Sequence, residues 1–438
     1  MTSLRNRFAF VVPLGLAGVL AFSGAAPASG PRYPQASVTD LGTTRLLAES
    51  DSDAPVGGVQ IFVAAGLDRQ PMNRAGVSAL VAECLEATPI DGVPLRDAIA
   101  ARGGSITYTV DGRSVHYYIE SSPSRLPEAI ALFGKALAAP DFSSATIATA
   151  RASLAQRIDQ SQNNPLAVAI QMFRQSYYAG GSSMPAYGMS TTVAQLGSAD
   201  LRAFYAATYV RSAVSASAVG SLSPELGSAL ATLAQGLPAG PVSAVDERAK
   251  DIPAEAPRIV AHRDVAAPWI VVGYAAPAPG SADFGAMLVL QSLLAGAFDR
   301  SSTTTLGFVE KSVGAFYLYD SSPASLVVYV NGSETDPTLA LRELLLVSHS
   351  LALKPLGADA LKHFKTAAEG QFLTDSVNLS DRSYLLGTLS SQGLGTDSIN
   401  TALSALEATT PADVQRVAKK YLQRYIVALV LPRPSATR

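Results

Sequence analysis

The sequence predicts an α+β protein of two duplicated domains, each a mostly antiparallel sheet with helices packed on one face. Three observations predict it. The same order of strand, loop, helix, paired strands, two helices, capped helix and closing strand can be read twice along the chain. A stretch rich in proline and glycine, 236–257, separates the two runs, and both residue types interrupt helices and sheets. Strands and helices do not alternate one for one, which favours antiparallel sheets over a doubly wound fold. With 438 residues, 48% of them hydrophobic, the chain is long and apolar enough for two cores, which excludes a mainly disordered protein. The expected divisions are a signal peptide at 1–28, a first domain at 35–240, a linker at 241–257 and a second domain at 258–438.

The elements follow in order. Residues 1–7 are a short basic segment, 8–22 an apolar run broken by Pro13, and Ala26-Pro27-Ala28 a small-x-small cleavage site. Together they read as an export signal, which puts the mature chain in the periplasm or outside the cell. The alternative is a retained anchor, for which the run falls short of the ~20 residues a span needs. No later run is apolar for long enough to cross a bilayer, so no stable span is expected after signal removal. Residues 30–55 look like a lead-in. Residues 59–63 form a short buried strand and 66–75 a loop. Gly76 then opens a helix whose Val77, Leu80, Val81, Cys84 and Leu85 make one apolar face. Thr88-Pro89 ends it. A second helix, 95–101, stops at Gly103-Gly104, since glycine readily takes the left-handed cap geometry. Residues 105–108 and 115–120 alternate as an antiparallel pair around Asp111-Gly112. Helices follow at 126–138, 144–162 and, beyond Asn163-Asn164-Pro165, 166–178. Ser198-Ala199-Asp200 caps a helix running to Tyr209, and 213–220 is a strand.

After 236–257 the order recurs. Residues 269–274 are a strand like 59–63, and a loop and a long helix at 284–294 come next. Residues 310–319 and 325–331 repeat the strand pair, and 339–353 and 358–373 the two helices. Pro411-Ala412-Asp413 opens a helix ending at Tyr421, followed by a strand at 426–431, as Ser198-Ala199-Asp200 leads to Tyr209 and 213–220.

Composition narrows the chemistry. Lys and Arg total 33 against 35 Asp and Glu, a net charge of -2, so no basic excess exists to neutralise phosphates and nucleic acid is not an expected partner. A single cysteine, Cys84, excludes an intramolecular disulfide and any zinc site built from several thiolates; on its apolar helix face it reads as a buried structural thiol. The histidines are His116, His262, His349 and His363; Pro355 and Gly357 keep His349 and His363 off a shared helix. Glu83 and Glu86, three apart, read as the solvated side of their helix, and His116 as an exposed or satisfied strand residue. No serine-nucleophile motif of the G-x-S-x-G type and no phosphate-binding glycine loop between strand and helix is present.

Several stretches carry a family resemblance. They are GVSALVAECLEAT at 76–88 after the Gly66 loop, Gly103-Gly104 before a strand, Asn164-Pro165 after a long helix, and Tyr187-Gly188 before Ser198-Ala199-Asp200. In order and spacing this set resembles the pitrilysin/insulinase metallopeptidases, which include the subunits of mitochondrial processing peptidase, over about residues 40–432. The resemblance implies a zinc metalloendopeptidase fold. Active members carry His-x-x-Glu-His on that first helix: two imidazoles four residues apart reach one Zn²⁺, and the Glu is general base for the zinc-bound water. Here those places fall on Ala79, Ala82 and Glu83. The third ligand, a Glu on the later long helix, falls near Gln156-Arg157; an amide is a poor ligand and a guanidinium repels a cation. The expectation is therefore no catalytic residue, no bound metal and no cofactor, and no enzymatic activity from the chain alone.

Family members also place an Arg and a Tyr on the second domain to grip the peptide backbone. The Arg place holds Val309 or Glu310, whereas Tyr317 matches, and Tyr317 is the candidate substrate-binding residue. Half-length members of the family commonly pair as one metal-bearing and one metal-free chain. The implied partners are thus an active zinc-bearing homologue in a heterodimer, or a second copy of this chain, together with an extended peptide added to a sheet edge. The glycine-rich loop 180–188 and the linker would let the halves open and close. Two other readings stand beside this one: a stand-alone peptide-binding or scaffolding protein of the cell envelope, and an atypical hydrolase with an unseen site.

Overall fold

The computed structural model describes residues 33–434 apart from 43, 243–244, 246, 306–310 and 333–335. The expected signal at 1–28 lies outside the described residues, as do Val309 and Glu310. The first sheet contains β1 (Ser37–Asp40), β2 (Arg45–Ser50), β3 (Gly57–Val63), β4 (Ser105–Val110), β5 (Val115–Ser121) and β6 (Val214–Gly220). Their order across the sheet is β1-β2-β6-β3-β5-β4. All neighbours are antiparallel except β2 and β6, which run parallel. The middle strand β3 pairs Ile61 with Tyr117 on one side and Ala216 on the other, and every one of its residues is buried. A strand buried on both faces reads as a continuous apolar run rather than an alternation, which is how 59–63 reads.

The second sheet contains β7 (Arg258–Arg263), β8 (Trp269–Ala275), β9 (Lys311–Leu318), β10 (Ser325–Gly332) and β11 (Tyr425–Pro432), in the order β9-β10-β8-β11-β7. Taken from its other edge, β7-β11-β8-β10-β9 matches β2-β6-β3-β5-β4 strand for strand. The one parallel pair recurs in the same place, β7 on β11 as β2 on β6. This is the duplication in structural form. Residues 30–55 correct the sequence reading, because what looked like a lead-in supplies β1 and β2. β1 pairs antiparallel with β2 as a local hairpin, and β2 joins the rest of the sheet through β6, a strand far along the chain.

Helices of the first half are α1 (Val77–Ala87), α2 (Leu95–Ala100), α3 (Leu126–Ala138), α4 (Ser144–Gln162), α5 (Pro165–Tyr177), α6 (Ser190–Gln195), α7 (Ser198–Thr208) and α8 (Leu226–Gln235). The second half has α9 (Phe284–Thr305), α10 (Pro337–Leu353), α11 (Ala358–Thr374), α12 (Leu379–Leu389), α13 (Ser398–Ala408) and α14 (Pro411–Tyr421). Local chemistry sets their ends. Pro165 has no N–H and stops α4 from continuing, while Asn164 accepts from the Ala167 amide at 3.1 Å to cap α5. At α14 the Thr410 hydroxyl accepts from the Asp413 amide at 3.2 Å, and the Asp413 carboxylate accepts from the Thr410 amide at 3.0 Å. In the first core, Leu80 and Leu85 of α1, Phe133 of α3 and Leu154 of α4 pack with Ile61, Tyr117 and Ile119 of the sheet.

The outer faces of the sheets are covered reciprocally. From the first half, α5 lays Leu166, Phe173 and Tyr177 against Val271, Val327 and Ala428 of the second sheet. From the second half, α12 crosses β3 and β6, with Gly387 against Phe62 and the Ser217 hydroxyl donating 2.5 Å to the Ser383 carbonyl. Helices on one face therefore describes what each half does for itself; its other face is closed by a helix lent by its twin. Gly273 in β8 shows how tight this is, since a Cβ there would run into the Phe173 ring. Among the described residues, no single helix is long and apolar enough to cross a membrane.

Candidate functional site

Gly76 starts α1 at φ 94°, a left-handed conformation suited to glycine, and the Gln70 side chain accepts from its amide at 2.8 Å. The helix that follows is almost wholly buried. Ala79 and Ala82 are fully enclosed, and Glu83 and Glu86 are each 1% exposed. That corrects the expectation of a solvated acidic face. An unpaired carboxylate could not be held there, because a buried charge requires compensation. The compensation comes from three other elements. Arg157 on α4 donates from Nε to Glu83 Oε1 at 2.8 Å, and the Tyr108 hydroxyl on β4 donates to the same oxygen at 2.9 Å. Arg96 on α2 reaches Glu83 Oε2 at 3.3 Å and donates from Nε to Glu86 Oε2 at 2.9 Å. The Arg157 guanidinium also lies over the Tyr108 ring, 4.6 Å from its centroid.

The structure thus brings together two of the four places that the resemblance singled out, Glu83 on α1 and Arg157 on α4, with Ala79 and Ala82 on the same helix as Glu83. They meet as an ion-pair knot of two carboxylates, two guanidiniums and a phenol. This donor set does not fit Zn²⁺: methyl groups stand at two places, and the lone pairs of Glu83 already receive donors from a cation and a hydroxyl. Burial, only partly offset by Arg96, pushes Glu86 up to about 7, and its Oε1 has no hydrogen-bond partner among the described residues. Burial likewise lifts the Tyr108 hydroxyl well above its ordinary range. Cys84 lies in the core with its thiol pushed up to about 12 by burial, so it is inert at neutral pH. Among the described residues, no three His, Cys, Asp or Glu side chains converge closely enough to hold a metal ion.

Tyr317 is buried on β9, where its hydroxyl donates to the Pro277 carbonyl and its ring packs on Phe284 and Tyr319. It does not reach the knot on α1 through any described contact. His116 is buried: its Nε2 lies 3.0 Å from Asp111 Oδ2, its Nδ1 meets the Gln60 amide, and its ring packs 4.7 Å from that of Tyr384. The Tyr384 hydroxyl, on α12, donates to the same Asp111 oxygen at 2.9 Å. The loop 180–188, expected as a flexible hinge, is pinned. Glu247 accepts from the Gly180 and Ser182 amides at 3.0 and 3.2 Å, and Gly181 is pressed against the Leu67 and Gln70 carbonyls. Sequence reasoning missed Arg96, Tyr108, Asp111 and Tyr384. Each acts on a residue of another element, and no spacing rule links such pairs.

With this geometry in place, comparison with known proteins is informative. Residues 45–185 match the model of the insulinase family, Peptidase family M16. No curated protein matches the chain. Among solved structures, a protease from Helicobacter pylori superposes with a TM-score of 0.80 at 15% identity, covering 91% of this chain and 100% of that one. The inactive domain of an M16 peptidase from Pseudomonas fluorescens gives 0.76 at 15% identity, covering 92% of this chain and 100% of that one. An M16-like peptidase from Alicyclobacillus acidocaldarius gives 0.76 at 14% identity, with 91% and 98% covered. At such identities the likeness is one of fold, and it extends over both halves.

Proposed function

We propose, from the match of residues 45–185 to the insulinase family, that the chain is an exported, metal-free and non-catalytic homologue of that family that serves as the peptide-binding partner subunit of a zinc-bearing member. One observation carries the proposal: the Glu83–Arg157 ion pair, closed by Arg96 and Tyr108, occupies the ground on which the family's zinc chemistry would be built. A guanidinium there disfavours a divalent cation, and the enclosed alanines offer it no lone pair. Peptide binding needs none of this. The outer edge of β4 lies at the border of the first sheet, where an extended chain can add as a strand through backbone hydrogen bonds. In this reading Tyr317 would exchange its Pro277 bond for a contact with the peptide backbone. The inactive domain from Pseudomonas fluorescens supports the reading by sharing the fold.

The test is reconstitution. The purified chain, alone and mixed with a zinc-bearing homologue from the same cell, is assayed against quenched fluorescent peptides, and complex formation is followed by size. Hydrolysis is expected only in a stable mixed complex and should disappear with a chelator. Chelator-sensitive hydrolysis by the chain alone would overturn the proposal. A peptide-binding dimer of this chain with no affinity for the homologue would favour a stand-alone envelope protein. Export is checked separately, by finding a mature N-terminus after Ala28 in the periplasm or medium.

A further inference from the structure

A cavity of about 480 Å³ lies where the two halves meet, walled by both and by the segment that connects them. Its size suits a small organic ligand, for which pockets start near 300 Å³. Asp68, Asp111, Glu247 and Asp320 face it, against Arg69 and Arg113. Two of the four carboxylates are committed: Asp111 to His116 and Tyr384, Glu247 to the amides of Gly180 and Ser182. Arg113 is engaged as well, donating to the Gln392 side chain at 3.2 Å. The remaining two, one on each half, form no ion pair among the described residues, and each has only a backbone hydrogen bond, Asp68 from the Arg69 amide and Asp320 from its own. Among the described residues, the buried Asp68 Oδ1 has no hydrogen-bond partner. A buried acceptor left in this way calls for a ligand or water to complete it. Phe62, Ala64 and Val242 make the rest of the wall partly apolar.

We propose that this cavity binds a protonated primary amine on an aliphatic stem, with the ammonium between Asp68 and Asp320 and the stem along Phe62 and Val242. The opening is far wider than a bare ion needs, and no metal-holding trio exists among the described residues. An ammonium supplies donors to carboxylates on both walls, while a methylene chain suits the apolar side. Burial holds Asp68 up to about 7. Burial first, and then the neighbouring Asp111, hold Asp320 up to about 6. In both, burial outweighs the neighbouring guanidiniums. The groups facing Asp68 are Arg69, Arg113 and Glu247; those facing Asp320 are Asp111, His116, Arg174, Tyr178, Tyr319 and Tyr384. The same ammonium chemistry is carried by a free diamine and by a lysine side chain of a peptide. The inference is independent of the partner-subunit reading, since it concerns the seam inside one chain.

Calorimetric titration of the full chain at pH 8 tests it, with cadaverine, acetyl-lysine methylamide and uncharged pentanediol as probes. Saturable binding of at least one amine, and none of the diol, is expected. Binding of both amines, or of cadaverine alone or the lysine derivative alone, assigns the source of the ammonium. Asp68→Asn and Asp320→Asn should each weaken amine binding about tenfold or more, and so should lowering the pH to about 5, where both carboxylates hold protons. Neither variant should melt below the parent, because each removes a charge that burial disfavours. No amine binding, equal binding of the diol, or unchanged affinity in both variants would overturn the proposal.

Discussion

Glu83 is the residue on which the chemistry of the first half turns. Its carboxylate is as deeply buried as a metal ligand would be, yet it faces Arg157 and Tyr108 rather than a cation of charge two. The losses at Ala79 and Ala82 were legible in the sequence, because a missing imidazole or a missing carboxylate needs no structure to be noticed. What replaced them was not. A pair of acids three apart on a helix looks the same whether water or an arginine from another element solvates it. The replacement makes a direct prediction. Restoring the ligand types with Ala79→His, Ala82→Glu, Glu83→His and Arg157→Glu together should yield about one zinc per chain by metal analysis, against none for the parent. Equal zinc in both proteins would mean that the site has been misplaced. Glu86 offers a second test, by pH. Its folded pKa of about 7 lies above the ordinary value of about 4.3. The stability it contributes is therefore full below about 4.3 and is lost as pH rises through about 7. Glu86→Gln should flatten that fall and be more stable than the parent above neutrality, as read by urea denaturation across the pH range; an unchanged profile would remove Glu86 as its source.

At the scale of elements, legibility followed periodicity. The strand 59–63 and the helices expected at 126–138 and 144–162 are present as β3, α3 and α4, because each presents a clear run or stripe to one core. Strand β2 escaped notice because it joins the sheet only through β6, distant in sequence, its other partner being the short exposed edge strand β1, and β7 because it lies just past a stretch rich in proline. Helix α12 escaped for another reason. Its buried residues, Arg382, Ser383, Leu385, Leu386, Thr388 and Leu389, wrap around the helix, since it is enclosed between its own half and the first sheet. Burial all round erases the amphipathic period. The borrowed helices also set a measurable cost. Phe173 is fully buried on the second sheet, directly over Gly273. Phe173→Ala should destabilise by about 3–5 kcal/mol through the cavity it leaves. Gly273→Ala should cost about 1–3 kcal/mol by overpacking against the ring. Denaturant midpoints measure both, and a neutral Gly273→Ala would show that α5 does not press on β8 as described.

The whole molecule is tied together by more than the chain connecting its halves. Glu49 of β2 and Arg382 of α12 form a buried ion pair at 2.7 Å, and the Arg382 guanidinium is stacked 3.4 Å from the Tyr33 ring centroid. Tyr33 is in turn clipped to the second half: its amide donates to the Asn400 side chain at 3.2 Å, and its carbonyl accepts from it at 3.1 Å. Together with α5 and α12 these contacts give each sheet an outer face that only the other half can close. A half produced alone would present Val271, Val327 and Ala428, or Phe62 and Ser217, to water, and would carry a helix with nothing to cover. Exposed apolar faces of that size lead to association rather than to a stable monomer. The full chain should therefore unfold in one cooperative step, with fluorescence and circular dichroism transitions coinciding. A fragment covering 33–240 should aggregate or remain loosely folded alone and gain a cooperative transition when refolded with the fragment 241–434. Two soluble halves that melt independently, each at the temperature of the intact chain, would show that the lent helices are decoration and that the halves fold without each other.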